Sequence, residues 1–234
     1  MKIGIFGLDN AFSGKESIVD QRLDTIKQMA HSAKKVYIQV EVFTDFEKLK
    51  ECDGIVSSKD KLTDLILTDL EFVEKRLSNA QEEKEKNLLN KFKQQLESER
   101  VISELKLSEE ENRISAAYAL LTGRPIFPAE SGNWEEKSKV LAPAYSHFGH
   151  VSFFTANEKE ARAWSIKRGT TAWEASGLIH SDIQKGFIRA EVIGFEDLIN
   201  DGGINQAKAN NHLRLEGKDY IVQDGDLIKF RFSK

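Results

Sequence analysis

A single cysteine, Cys52, stands in a chain of 234 residues, so neither an internal disulfide framework nor a multi-cysteine zinc site is open to it. No His or Asn arrangement marks that thiol as a nucleophile, and a structural role is expected. Excess charge is also scarce: the net charge is −4, which exerts no broad pull on nucleic acid, so contact with RNA would need a local patch. No apolar run approaches the roughly 20 residues that span a bilayer. No signal-peptide h-region precedes the first short apolar run. Together these absences read as a cytoplasmic chain without a membrane partner. The histidines, His31, His147, His150, His180 and His212, lack zincin or zinc-finger spacing. His147 and His150 share an i,i+3 relation but no nearby carboxylate pattern, so no metal site is assigned. Glu109 to Glu111 read as helix-start charge rather than an acid/base pair, and no catalytic residue is assigned.

What is present has three kinds of grammar. KIGIFGL at residues 2 to 8 reads as a buried strand running into a Gly/Asp/Asn/Ser loop. Apolar Ile18, Val19, Leu23, Ile26, Met29 and Ala30 predict a helix from Ser17 to about His31, and VYIQVEVF at 36–43 predicts a second strand. Strand, loop, helix, strand opens an α/β layer. From Leu62 to Leu77 a mostly apolar stripe predicts an amphipathic helix. A polar stretch, SNAQEEKEKN, then separates it from a second stripe at Leu88, Leu89, Phe92 and Leu96, as in a helical hairpin or short coiled coil. Residues 60–111 hold 14 Asp/Glu against 9 Lys/Arg, so the hairpin is no general phosphate binder, although its tip around Lys84 and Lys86 would be free to touch a partner.

Ser108 with Glu111 predicts a capped helix ended by Gly123 and Pro125, PIFP a short strand, AESGNWEEKSK a loop, and Val140 to Phe148 a further helix. Beyond Val151 come short strands: VSFFT, EARAWSI, GFIRAEVI, KDYIVQ and DLIKFRF, with TTAWEASGLI as an N-capped helix and His180 as its C-terminal cap. A mixed sheet crossed by one helix is the economical packing, giving a compact α+β domain.

GLDNAFSGKES, Gly7 to Ser17, resembles the phosphate loop G-x-x-x-x-G-K-[ST], in which glycines let backbone N–H groups converge on phosphates, Lys neutralises charge and a hydroxyl ligates Mg²⁺. Here Gly7 and Gly14 are separated by six residues instead of four, and Glu16 occupies the hydroxyl position. Both departures weaken phosphate binding. Gly7, Gly14, Lys15 and Ser17 remain the candidate nucleotide-binding residues.

The stretch from SFFTANEKEARAWSI to QDGDLIKFRFSK is similar to the end of the YchF (Obg-like ATPase) family, whose last domain is a TGS domain of β-grasp fold. DLILTDLEFVEKRL resembles the start of that family's inserted hairpin, ALLTGRPIF its return, and MKIGIFGLDNAFSGKES its first strand and phosphate loop. The resemblance implies a shortened Ras-like P-loop α/β domain at 1–60 and 119–150, an inserted antiparallel helical hairpin at 61–118, and a TGS β-grasp domain at 151–234. It also locates departures. VEVFTDFEKL offers Asp45 without the glycine of the D-x-x-G switch motif, and Pro128-Ala129-Glu130-Ser131 lacks the family's base-recognition Asn.

Two functions remain open on these residues. One is a non-hydrolysing binding or regulatory protein, with the ribosome or RNA as partner through the TGS and hairpin surfaces, or a protein partner on the hairpin. Because 12 Lys/Arg balance 12 Asp/Glu in 151–234, RNA contact would come from clusters: Lys167-Arg168 at a turn, Lys185 with Arg189, and Trp173 as a stacking ring. The other is an ATP- or GTP-binding NTPase with a variant loop, Lys15 on the phosphates and Ser17 on Mg²⁺.

Overall fold

The computed structural model describes residues 1–9, 11–130 and 137–233. Ser131 and most of the predicted AESGNWEEKSK loop, together with Asn10 of the phosphate-loop stretch, lie outside the described residues. Two compact units form, one from 1–16 with 39–148, the other from 17–38 with the chain from Gly149 onward.

The chain opens with β1 (Lys2–Phe6), β2 (Gly14–Ile18), α1 (Arg22–Met29), β3 (Lys34–Val36) and β4 (Ile38–Phe43). Three expectations change here. The stretch GKESI is a strand, not the start of a helix. The helix begins only at Arg22, where the Asp20 carboxylate accepts the Arg22 backbone N–H at 3.0 Å. VYIQVEVF, expected as one strand, is divided at Tyr37 between β3 and β4, which lie in different sheets. As a result α1 and β3, expected within the α/β domain, fold with the C-terminal unit.

The first unit continues through α2 (Phe46–Leu49), β5 (Gly54–Ser58), a 3-10 turn at Lys59–Lys61, α3 (Leu62–Asn79), α4 (Glu83–Glu97), α5 (Glu109–Ala116), β6 (Ile126–Ala129) and α6 (Ser138–His147). Its sheet has the order β2-β4-β1-β5-β6, with β1 parallel to β4 and β5, and β5 parallel to β6. GIVSS of β5 is buried along its whole length, as a parallel strand covered on both faces must be. A Cβ on Gly54 would lie 2.6 Å from the Phe148 ring, so only glycine lets that ring seat against the strand.

Helices α3 and α4 bury Ile66, Val73, Leu88, Leu89, Phe92 and Leu96 together with Ile102 and Leu120. The second helix starts at Glu83, earlier than its apolar stripe, because its first turn is acidic and needs no packing. Asp69 interrupts the α3 stripe and is only 3% exposed. Its carboxylate accepts the Leu121 N–H at 3.0 Å and the Thr122 N–H and hydroxyl at 2.6 Å each, fixing the returning chain to the helix. Ser108 and Glu111 form the predicted capping box of α5. That helix stops at Ala116, ahead of Gly123, as the chain turns through Ala119 at φ 49°.

The second unit adds β7 (His150–Ala156), β8 (Glu160–Lys167), α7 (Ala172–Ile179), α8 (Ser181–Lys185), β9 (Phe187–Ile193), α9 (Phe195–Asn200), α10 (Ile204–Ala209), β10 (Arg214–Glu216) and β11 (Leu227–Phe232). Its sheet runs β10-β9-β11-β7-β8-β3. The β7–β8 hairpin, the helix after it and a last strand parallel to the first give the β-grasp arrangement. Thr171 and Glu174 form the capping box of α7. His180 is the C-cap of α7, its backbone N–H reaching Ser176 O at 3.3 Å, and also caps the following helix, its ring nitrogen accepting the Asp182 N–H at 3.1 Å. KDYIVQ is not a strand: its backbone bonds to the start of α7, Ala172 N–H to Tyr220 O at 2.7 Å and Trp173 N–H to Lys218 O at 3.2 Å, so RLE at 214–216 takes the edge of the sheet beside β9.

Candidate nucleotide site and partner surface

In an open parallel sheet, ligands bind beyond the carboxyl ends of the strands. Here those ends carry Gly7 after β1, Ser58 to Lys61 after β5, Glu130 after β6 and Asp45 after β4. Gly7 adopts φ +65°, and a Cβ there would lie 2.5 Å from Lys61 Cβ and Cγ and 3.0 Å from Ser58 Oγ. The Lys61 stem therefore packs directly against the backbone of the first loop glycine. The Ser58 hydroxyl is fully buried with no hydrogen-bond partner among the described residues. Lys59 pairs with Glu130, and Lys61 with Asp64 at 3.2 Å, so both cations already have carboxylates.

Gly14, Lys15, Glu16 and Ser17 lie along β2, with Gly14 and Lys15 exposed. In a strand successive N–H groups point to opposite sides, whereas a phosphate nest needs them to converge, and a helix start directly behind the Lys supplies the positive dipole end. No helix begins until Arg22. Glu16 forms an ion pair with Lys137, whose ammonium stands 4.5 Å from the Phe12 ring centroid. Asp45, the candidate switch residue, spends its carboxylate on capping α2, accepting the Glu47 N–H at 3.0 Å. Cys52 is buried, donates to Lys48 O at 3.4 Å, and has its thiol pushed up to about 11 by burial, the profile of a packed, unreactive thiol.

The candidate partner residues of the second unit are divided by the sheet. Lys167 ends β8 opposite His150, the first residue of β7, and Arg168 follows in the turn. Lys185 and Arg189 flank the start of β9, which pairs antiparallel with the end of β11. Since β11 runs parallel to β7, these two groups stand at opposite ends of the sheet. Trp173 is 40% exposed, and its indole N–H is committed to Gln184 O at 3.0 Å. The register adds two residues that sequence reading missed, Arg231 directly opposite Arg189 and Phe232 opposite Phe187. The signal was present in DLIKFRF, where Lys229 and Arg231 alternate with apolar residues and so share one face.

A parallel α/β layer with a helical pair inserted, continued by a β-grasp sheet, defines the class of P-loop-type proteins that carry a further C-terminal domain. In solved structures this arrangement is similar to the Schizosaccharomyces pombe YchF GTPase, with a TM-score of 0.79 at 18% identity over 99% of this chain and 97% of that one. The family model YchF-GTPase_C, described as a protein of unknown function (DUF933), matches residues 150–233. The ribosome-binding ATPase YchF of Bacillus subtilis is 32% identical over 263 aligned positions, 83% of this chain and 72% of that protein. This chain belongs to the YchF (Obg-like ATPase) family. Other relatives match over a shorter reach: the Haemophilus influenzae ribosome-binding ATPase YchF is 51% identical over 96 residues, 41% of this chain and 26% of that protein. Obg-like ATPase 1 of Danio rerio is 46% identical over the same number of residues, 24% of its length. The 263 positions aligned with the Bacillus protein exceed the 234 residues of this chain, so that relative has internal segments this chain lacks.

Proposed function

We propose that this protein is a YchF-family member with a degenerate nucleotide site, acting as a non-hydrolysing binding or regulatory protein on the ribosome or RNA in the cytoplasm. Its parts on this reading are a shortened P-loop-like domain, an inserted hairpin (coiled coil) and a TGS domain, with the hairpin also available to a protein partner. The observation that carries the reading is the state of GKES: a strand, exposed at Gly14 and Lys15, whose Glu16 is paired with Lys137, and no helix N-terminus behind it. Ribosome association is supported by relatives named for ribosome binding. Among the described residues no helix is long and apolar enough to cross a membrane.

Co-sedimentation of the purified protein with ribosomes tests the partner, and binding that weakens with added salt is the expected result. Absence from the ribosome pellet at low salt would remove this function. The second reading is a nucleotide-binding NTPase in which Lys15 and Ser17 meet ATP or GTP with Mg²⁺. It draws support from the exposure of Lys15 and from the surviving parallel order of β4, β1 and β5.

A further inference from the structure

In the C-terminal unit, β11 and β7 run parallel but part early. The Gly225 N–H reaches Ser152 O and the Phe154 N–H reaches Asp226 O, at 2.8 Å each, yet the ladder between the two strands holds only the pair Leu227↔Phe154. Backbone groups alternate sides along a strand, so past that pair the edge of β11 that faces β7 is carried by Ile228 and Phe230, and the matching edge of β7 by Ala156. A cavity of about 760 Å³ lies where these edges separate. It touches Ile228, Lys229 and Phe230 alike. Ile228 and Phe230 belong to the core beneath α7 and α8, whereas Lys229 is exposed and alternates to the opposite face, so the cavity follows the edge of the strand rather than one face of the sheet.

Independently of the readings above, we propose that this opening receives an extended peptide segment of alternating apolar and acidic residues, hydrogen-bonded along the β11 edge at Ile228–Phe230. Side chains of an extended peptide point alternately to opposite faces. One set meets Ile179, Ile183 and Trp164, which line the cavity and are core residues left partly uncovered; the other meets Lys229. Lys229 has no ion-pair partner among the described residues, because Glu191, directly opposite it, is held by Arg231 at 2.6 Å. At the rim Glu160 is held by Arg162 at 2.9 Å, while Glu158 and Lys159 are exposed. The walls are built in advance: Asn157 Oδ1 accepts the Lys159 and Glu160 N–H groups at 2.8 and 3.1 Å, the Ser32 hydroxyl donates to Asn157 O at 2.5 Å, and the Trp164 indole N–H donates to the Thr155 hydroxyl at 2.9 Å. Such preorganisation lowers the ordering cost of binding. Main-chain pairing at a sheet edge supplies affinity and alternate side chains supply specificity. A nucleic acid would use the lysines and leave the backbone edge and the apolar side idle.

The test is fluorescence anisotropy of a labelled octapeptide of alternating valine and glutamate, titrated with the full chain, with amide NMR shifts to locate it. Saturable binding is expected, with shifts at Ala156 and Ile228–Phe230. N-methylation of a central peptide amide should weaken binding about tenfold, because a main-chain donor is lost. Serine in place of valine should abolish it. Lys229→Glu should weaken the valine/glutamate peptide about threefold and strengthen a valine/lysine peptide by a similar factor, a reversal that a folding defect cannot produce. Absence of saturable binding by wild type, or binding that leaves those amides unmoved, overturns the proposal. So does indifference to N-methylation, which would assign the cavity to a small apolar molecule. A uridine oligonucleotide that shifts the same amides while the peptide does not would assign the opening to RNA and overturn it equally.

Discussion

Arg22 and Asp224, 202 positions apart in sequence, are joined by two hydrogen bonds of 2.8 and 3.2 Å. Arg22 also holds Asp20 at 2.7 Å and lies 5.4 Å from the Phe154 ring centroid, while Asp224 accepts the Ser152 N–H at 2.8 Å. This cluster, with buried Leu23 and Ile26 of α1, attaches a segment from near the start of the chain to the C-terminal sheet.

Burial alone would raise the Asp224 carboxyl, but Arg22 and the Ser152 N–H outweigh it and hold it below the usual carboxylate range. A carboxyl lowered by folding contributes stability that is present above its unfolded value, about 3.9 for Asp, and is lost as pH falls through the lower folded value. Thermal melts of wild type should therefore fall on acidification below pH ~4. Arg22→Ala should melt lower at neutral pH and show a shallower acid dependence. Identical melting curves for the two proteins at both pH values would refute the role given to this cluster.

Asp69 should be intolerant of its nearest isostere. Burial raises its carboxyl, against the bonds from Thr122 and Leu121, and each of its oxygens accepts from the returning chain. In Asp69→Asn an amide NH₂ must face an N–H or hydroxyl donor, at a cost of about 1–3 kcal/mol for the unsatisfied group. Urea unfolding should show a lowered midpoint with the slope unchanged. A midpoint equal to wild type would contradict the anchoring role.

His212, paired with Asp201, behaves in the opposite sense with pH. The ring Nδ1 lies 2.6 Å from Asp201 Oδ2, and that bond raises the His212 value. A histidine raised by folding contributes stability fully present below its unfolded value, about 6.5, and lost as pH rises through the folded value. NMR titration of the His212 ring should give a midpoint above that of a free histidine, returning toward it in Asp201→Asn. An unshifted midpoint in wild type would exclude the contact in solution.

Local chemistry was legible wherever the signal was local. The capping boxes at Ser108/Glu111 and Thr171/Glu174, the α3 stripe and the alternation of EARAWSI all specify their element within a few residues. What stayed hidden depends on partners remote in sequence. Ser17 and Ile18 fit a helix or a strand, and the choice is made by pairing in a sheet whose other strands lie elsewhere. Tyr37 divides VYIQVEVF because Lys34–Val36 finds β8 at Glu160–Arg162, a pairing no local pattern announces. Asp69 breaks the apolar stripe of α3, and its donors at Leu121 and Thr122 lie 52 and 53 positions further on. At the candidate sites, Lys185 and Arg189 were readable as cations, but their neighbours Arg231 and Phe232 emerge only from the antiparallel register.

Isothermal calorimetry of the purified protein with ATP and with GTP, each with Mg²⁺, decides whether the proposed degenerate site still takes a nucleotide. No saturable heat is expected with either nucleotide, in wild type and in Lys15→Ala alike. Micromolar binding by wild type that Lys15→Ala abolishes would contradict it and establish Gly14–Ser17 as a working phosphate loop.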